Sequence, residues 1–132
     1  MTTTPPEVGA TYTTERTFTT EDVRQFGEVS GDQQPIHTEP NADGELVVQG
    51  LLTATLPTKI GGGLEVLASR MEYRFKTPVY TGETITCEWT NEAVTERADR
   101  YEISCSIRCT NEAGTVVMTG ETDGIIWKGD DE

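Results

Sequence analysis

The sequence predicts one α+β domain in which a curved antiparallel sheet wraps around a central helix. Its 132 residues are enough for one hydrophobic core but too few for two ordinary domains. Residues 50–60 are apolar almost without interruption, which indicates a buried helix. The segments after Leu64 alternate between apolar and polar residues, as antiparallel strands do. Strands that follow helices in this order are typical of α+β folds.

The N-terminal segment is polar and contains Pro5 and Pro6, so we expect residues 1–10 to form a flexible tail. The single domain is predicted to cover residues 11–132, with a first strand near residues 12–18. The N-terminus shows neither a basic start nor an apolar stretch. We therefore expect no signal peptide, no membrane-spanning helix and a cytoplasmic protein.

A first helix is predicted to begin after Thr19. The side chain of Thr19 can cap the helix, and Asp22 stands at the third helical position, as in a capping box. Val23 and Phe26, three residues apart, mark the buried side of this helix. We expect the helix to end at Gly31, because glycine tolerates the left-handed conformation found just past helix ends.

The central helix of residues 50–60 contains a proline, Pro57. A proline inside a helix removes one backbone hydrogen bond and clashes with the preceding turn, so we expect a kink or an end there. The three glycines at 61–63 close the element.

The second half of the chain predicts a meander of strands. In residues 67–75, Leu67, Met71, Tyr73 and Phe75 would share a half-buried face, opposite a face that carries Ala68, Arg70, Glu72 and Arg74. Further alternating segments follow near residues 85–89 and 101–109. A turn at 111–114 then leads into a last strand at 115–127.

The charge of the chain excludes one class of partner and suggests an environment. With 23 acidic and 10 basic residues the formal net charge is −13, and no cluster of Lys and Arg is present, so we expect no nucleic-acid partner. Only three of the cations are lysines. This composition is typical of proteins from the cytosol of a halophile, where the high salt concentration screens the charges of an acidic surface. An ordinary acidic protein of a mesophile is the alternative.

Cys87, Cys105 and Cys109 lie in predicted strands, where a free cysteine behaves as a small hydrophobic residue. We expect buried, reduced thiols. A metal site would need further ligands at suitable spacing, and the single histidine lies far away in sequence, so no metal is expected.

The most informative stretch runs from residue 26 to residue 37, Phe-Gly-Glu-Val-Ser-Gly-Asp-Gln-Gln-Pro-Ile-His. Asp32 and His37 stand five positions apart on a loop stiffened by Pro35, and together they could bind one water. An imidazole titrates near neutral pH, as a general base should. On spacing alone, an ordinary Gly-Asp turn followed by an unrelated histidine is the preferred interpretation.

This stretch resembles the hydratase 2 motif of MaoC-like proteins, Ser-Gly-Asp-x-Asn-Pro-aliphatic-His, and differs from it only at Gln34. Residues 18–23, 50–54, 75–80 and 111–120 also resemble this family. The resemblance implies a hot-dog fold and a homodimer in which two sheets join. It also implies R-specific hydration of a trans-2-enoyl-CoA, or the reverse dehydration. The acyl-CoA is then the substrate, and no cofactor is expected.

By this resemblance His37 withdraws a proton from the bound water, while Asp32 holds that water and assists proton delivery to the α-carbon. The backbone N–H of Gly50 would bind the thioester oxygen. A side chain at Gly50 would crowd the approaching carbonyl, although a helix-start glycine has purely structural uses too. Ser30, Gly31, Gln34 and Pro35 would support the catalytic loop.

The sequence departs from the family pattern in three places. Gln34 replaces an asparagine, Gln49 stands where the family usually has histidine, and the stretch 37–50, which covers the acyl pocket in the family, is short. The first two departures keep a non-catalytic acyl-CoA-binding accessory subunit as an alternative. A thioesterase of this fold usually carries an acidic residue on the central helix, and none occurs between Gly50 and Ile60.

Coenzyme A carries anionic phosphates, so an acidic protein needs a local group of cations to bind it. The possible contacts are Lys59, Arg70, Arg74 and Lys76. Arg70 and Arg74 share a strand face, and a solvated polar sheet face explains them equally well.

Overall fold

Five antiparallel strands form one sheet, which covers a central helix. The computed structural model describes residues 5–129. The strands lie in the order β1-β3-β4-β5-β2, so the predicted α+β architecture is confirmed. No helix among these residues is long and apolar enough to cross a membrane. In chain order the elements are β1 (Thr11–Thr17), α1 (Thr20–Ser30), α2 (Pro35–Thr38), α3 (Gly50–Thr53), α4 (Thr55–Gly63), β2 (Leu67–Phe75), β3 (Thr84–Glu96), β4 (Arg100–Thr110) and β5 (Val116–Trp127).

The core lies between α4 and the inner face of the sheet. Leu56 and Ile60 of α4 are buried, as is Trp89 of β3. A β-carbon at Gly61 would lie 3.3 Å from the Trp89 ring, so this glycine lets helix and sheet approach closely. The core also holds three free cysteines, which confirms the predicted buried thiols. Burial raises the pKa of Cys105 to about 12, so this thiol stays protonated at neutral pH.

The start and end of α1 confirm the sequence prediction. The Asp22 backbone N–H donates to Thr19 Oγ1 at 3.1 Å, and the Thr19 N–H donates to Asp22 Oδ2 at 3.0 Å, which completes the capping box. Gly31 adopts φ 81° and its N–H donates to the Gly27 carbonyl, so α1 ends where expected. Val23 is fully buried and Phe26 packs against the core.

The central helix is interrupted, but the interruption precedes the predicted position. It falls at Ala54, between α3 and α4, and Pro57 lies in the first turn of α4. In a continuous helix the N–H that Pro57 lacks would have bonded to the carbonyl of Thr53. Thr53 is the last residue of α3, so the break removes the conflict. The N–H groups of a first helical turn have no intrahelical partner, which makes proline acceptable there.

A β-bulge in β2 corrects the predicted strand faces. Ala68 pairs with Gly124 and Arg70 pairs with Asp123, so Ser69 is one extra residue. Leu67 therefore shares the outer face with Arg70, and Ala68 shares the inner face with Met71, Tyr73 and Phe75.

The predicted apolar face of β2 is also more open than expected. Leu67, Met71 and Phe75 are 61%, 52% and 54% exposed. The reason is that β2 is an edge strand of the sheet, with no strand beyond it among residues 5–129.

Part of the segment predicted as a flexible tail is held against β3. The Gly9 N–H donates to the Asn91 carbonyl at 2.7 Å, the Asn91 N–H donates to Ala10, and the Asn91 side chain donates to the Glu7 carbonyl. Residues 1–4 of the predicted tail, and residues 130–132 of the predicted domain, lie outside the described residues.

Candidate active site

The loop between α1 and α2 fixes the carboxylate of Asp32. The Ser30 hydroxyl accepts a hydrogen bond from the Asp32 N–H at 3.1 Å, just after the left-handed Gly31 ends the helix. Gln34 then donates twice to Asp32 Oδ1, from its side-chain Nε2 at 2.9 Å and from its backbone N–H at 3.4 Å. Oδ1 is therefore occupied, while Oδ2 is left to face the site.

Helix α2 presents His37 with a defined tautomer. Pro35 is the first residue of this short helix, and His37 is 6% exposed. His37 Nδ1 lies 2.6 Å from the Val47 carbonyl, which can only accept a hydrogen bond. Nδ1 therefore carries the hydrogen, and in the neutral ring Nε2 has a free lone pair.

Asp32 and His37 lie close enough together for one water to contact both side chains. The His37 Nε2 and Asp32 Oδ2 atoms are 3.5 Å apart, and both are acceptors when His37 is neutral. A water could donate one hydrogen to each of them, with its oxygen lone pair directed elsewhere. The side-chain hydrogen bond from Gln34 is the main influence that lowers the pKa of Asp32 below its ordinary value. This carboxylate is therefore ionised at neutral pH.

The pair opens into an apolar pocket of about 600 Å³. Asp32 and His37 form part of its wall, with Gly50 nearby. A pocket of this size with few polar groups suits an acyl chain and the thioester that carries it. Most of the remaining lining is apolar and includes Phe26, Ile36, Leu51, Val48, Val79 and Val117.

Gly50 begins α3, and among the described residues its N–H has no hydrogen-bond acceptor. Because α3 has only four residues, the N–H group itself rather than a long helix dipole would bind an oxyanion. A β-carbon at Gly50 would lie 2.8 Å from the ring of Phe75. The close contact that requires a glycine is therefore with Phe75. Phe75 was not expected at the site, because the alternating pattern of β2 gives no sign that this residue contacts residue 50.

Gln49 is 3% exposed and lies beside the pair, lining the same pocket. Its Nε2 donates to the Val23 carbonyl at 2.9 Å. Its Oε1 is buried without a partner among the residues described. Position 49 was recognised from the sequence as a departure from the family pattern. Its hydrogen bond to the Val23 carbonyl could not be predicted, because the two residues are 26 positions apart.

The structure brings one of the four predicted phosphate contacts to the pocket. Lys76 is exposed, lines the pocket and makes no ion pair within residues 5–129. Arg70 and Arg74 lie on the outer face of the sheet, where both pair with Glu72, at 2.7 and 3.0 Å. Lys59 is exposed on α4 and does not line the pocket.

The sequence is similar to a known protein family and to named proteins. A model of the family described as MaoC like domain matches residues 3–112. The mitochondrial 3-hydroxyacyl-[acyl-carrier-protein] dehydratase of Arabidopsis thaliana is 28% identical over 131 residues, which cover 91% of this chain and 77% of the plant protein. The (R)-specific enoyl-CoA hydratase of Aeromonas caviae is 27% identical over 124 residues, which cover 87% of this chain and 91% of the relative.

A solved structure also supports the predicted fold. The (R)-hydratase from A. caviae involved in PHA biosynthesis superposes with a TM-score of 0.80 at 25% identity, covering 92% of this chain and 96% of that one. This likeness confirms the hot-dog fold.

Proposed function

Because the chain belongs to the MaoC like domain family, we propose that it adds water to a trans-2-enoyl-CoA and catalyses the reverse dehydration of the R-3-hydroxyacyl-CoA. The observation that carries this proposal is the pair of acceptors, His37 Nε2 and Asp32 Oδ2, 3.5 Å apart on the wall of an apolar pocket. The names of the relatives, one a hydratase and one a dehydratase, support the same reaction class.

The proposed reaction begins with a water that donates one hydrogen to His37 and the other to Asp32. Its oxygen attacks the β-carbon of the enoyl group while His37 Nε2 takes the proton. The electron pair of the double bond moves toward the thioester, and the free N–H of Gly50 stabilises the negative charge on its oxygen. Protonation of the α-carbon completes the addition of one water.

The hydrogen bonds at Asp32 divide the roles of the pair. Because Gln34 lowers the pKa of Asp32, its carboxylate holds and orients the water rather than storing a proton. The imidazolium of His37, formed when the water is deprotonated, is then the acid that returns a proton to the α-carbon. Asp32 assists this delivery by stabilising the imidazolium.

The pocket and its rim account for the substrate class. The apolar lining receives the acyl chain, and Lys76 at the edge contacts a phosphate of coenzyme A. No further cofactor is needed, because water supplies the atoms that are added. Residues 50–63 contain no Asp or Glu, so the acidic residue that a thioesterase of this fold uses on the central helix is missing.

We further propose that two copies join through β2. The backbone groups on the open side of an edge strand have no strand partner, and exposed Met71 and Phe75 on its inner face would be covered by a second copy. Light scattering after gel filtration should give twice the 14.5 kDa of one chain. A single-chain mass at micromolar concentration would contradict the dimer.

The decisive experiment is a direct assay in high potassium chloride with short and medium trans-2-enoyl-CoA thioesters. Hydration removes the conjugated enoyl absorbance, and chiral analysis of the product should show the R-3-hydroxyacyl-CoA. If the protein binds enoyl-CoA without turnover, the hydratase proposal is wrong and the protein is a non-catalytic acyl-CoA-binding subunit. Release of free coenzyme A would instead show a thioesterase.

A further inference from the structure

A second, smaller cavity lies behind the catalytic pair. It has a volume of about 120 Å³, and we call it the rear cleft. Asp32, His37 and Gln49 line both the rear cleft and the acyl pocket, so these three side chains form the wall between the two cavities. Exposed side chains of α1 and of the catalytic loop line its outer part, namely Arg24, Glu28 and Gln33. The rear cleft therefore leads from solvent to the back of the pair.

Gln49 supplies a buried polar atom at this wall. Its amide cannot turn over, because the Val23 carbonyl must receive a hydrogen from Nε2. Oε1 is thereby fixed on the other side of the amide, where no described residue donates to it. A buried acceptor without a hydrogen-bond donor destabilises the fold, and buried waters commonly satisfy such groups. A water occupies about 30 Å³ of the liquid, so the rear cleft has room for several.

We propose that the rear cleft is a water-binding site in which a water donates to Gln49 Oε1 and replenishes the water held by Asp32 and His37. This rests on the proposed function, because hydration consumes one water in each turnover and dehydration releases one. An enoyl-CoA bound in the acyl pocket occupies the other approach to the pair. A separate path lets water reach or leave the pair while the thioester is bound.

Two sets of variants test the proposal. Gln49→Met keeps the length of the side chain but removes Oε1, together with the Nε2 that donates to Val23, and should lower kcat roughly tenfold, the effect of losing one hydrogen bond, with KM unchanged. Gln33→Trp fills the outer part of the rear cleft and should also lower kcat. This variant keeps both atoms of the Gln49 amide and separates the loss of the water from the loss of the contact with Val23. Gln25→Trp is the matched control, because Gln25 is equally exposed on α1 but does not line the cleft. It should retain wild-type kcat.

High-resolution crystal structures give a readout that does not depend on activity. The wild type should show a water within about 3.2 Å of Gln49 Oε1, and Gln49→Met should lack it. Gln33→Trp should keep the 3.5 Å spacing of Asp32 and His37, which separates a blocked path from a damaged loop. If Gln49→Met does not fold, the comparison of the two tryptophan variants still decides the question.

A rear cleft without water at Oε1, or a Gln33→Trp enzyme as fast as Gln25→Trp, overturns the proposal. The failure of the proposed function is distinguishable. If the wild type holds the water but hydrates no enoyl-CoA, hydration is refuted while the water site stands.

Discussion

Replacing Asp32 and His37 separately and together tests whether both handle one water. In Asp32→Asn the amide oxygen can still accept from Gln34, so the new NH₂ group takes the place of Oδ2, 3.5 Å from His37 Nε2. This NH₂ would donate to Nε2 and occupy the lone pair that the water needs. His37→Asn removes Nε2, while its own NH₂ can continue to donate to the Val47 carbonyl.

The expected losses follow from these contacts. Each single replacement removes a general acid–base group or its water, so kcat/KM should fall about 10²- to 10⁴-fold. Residues that act as one unit are not additive, so the double variant should be scarcely worse than the poorer single one. The Asp32 side chain is partly exposed, so Asp32→Asn should leave the folding stability nearly unchanged. His37→Ala would strand the Val47 carbonyl at a cost of about 1–3 kcal/mol.

Hydration is followed by enoyl absorbance in high salt, and stability by thermal and urea unfolding of each variant. His37→Asn controls for the lost hydrogen bond of His37→Ala. Wild-type turnover in either single variant refutes the assignment. Losses that multiply in the double variant also refute it, because they would show that Asp32 and His37 act independently of each other.

The remaining predictions concern Gly50, Gln34 and the surface charge. Gly50→Val places a branched side chain against Phe75 and removes the approach to the N–H, so kcat should fall about 10²- to 10³-fold. If Gly50→Val loses folding stability and turnover to the same extent, the glycine is purely structural. Gln34→Leu removes the side-chain hydrogen bond that lowers the pKa of Asp32, so this carboxylate should protonate at higher pH than in the wild type, and an NMR titration of the Asp32 side chain measures the change; an unmoved titration contradicts this role. With a net charge of −13, the melting temperature should rise with potassium chloride, and a flat or falling dependence rejects the halophile hypothesis.

Features set by neighbouring residues could be predicted from the sequence. The capping box of α1 depends on Thr19 and Asp22 alone, and its end depends on the left-handed tolerance of Gly31. The resemblance of residues 30–37 to the hydratase 2 motif likewise predicted that Asp32 and His37 would lie together, and the structure places His37 Nε2 and Asp32 Oδ2 3.5 Å apart. Their catalytic roles stay predictions.

Features set by distant residues could not be predicted. The tautomer of His37 depends on the carbonyl of Val47. Every residue type has a backbone carbonyl, so the sequence does not identify this hydrogen-bond partner. The close approach of Gly50 and Phe75 depends on how β2 passes the start of α3. The bulge at Ser69 is the result of strand register, which the alternation of side chains in one strand does not contain.

The two glutamines that depart from the family pattern preserve the chemistry that each position needs. Gln34 donates an amide N–H to the carboxylate of Asp32, as the asparagine of the motif also could. Gln49 donates an amide N–H to the Val23 carbonyl, and a histidine ring N–H is a donor of the same kind. A neutral imidazole that donates to Val23 also keeps one acceptor nitrogen, so the glutamine, with its acceptor Oε1, offers the same pair of hydrogen-bonding groups. Neither departure therefore removes a donor from the site, and neither favours an inactive subunit over an enzyme.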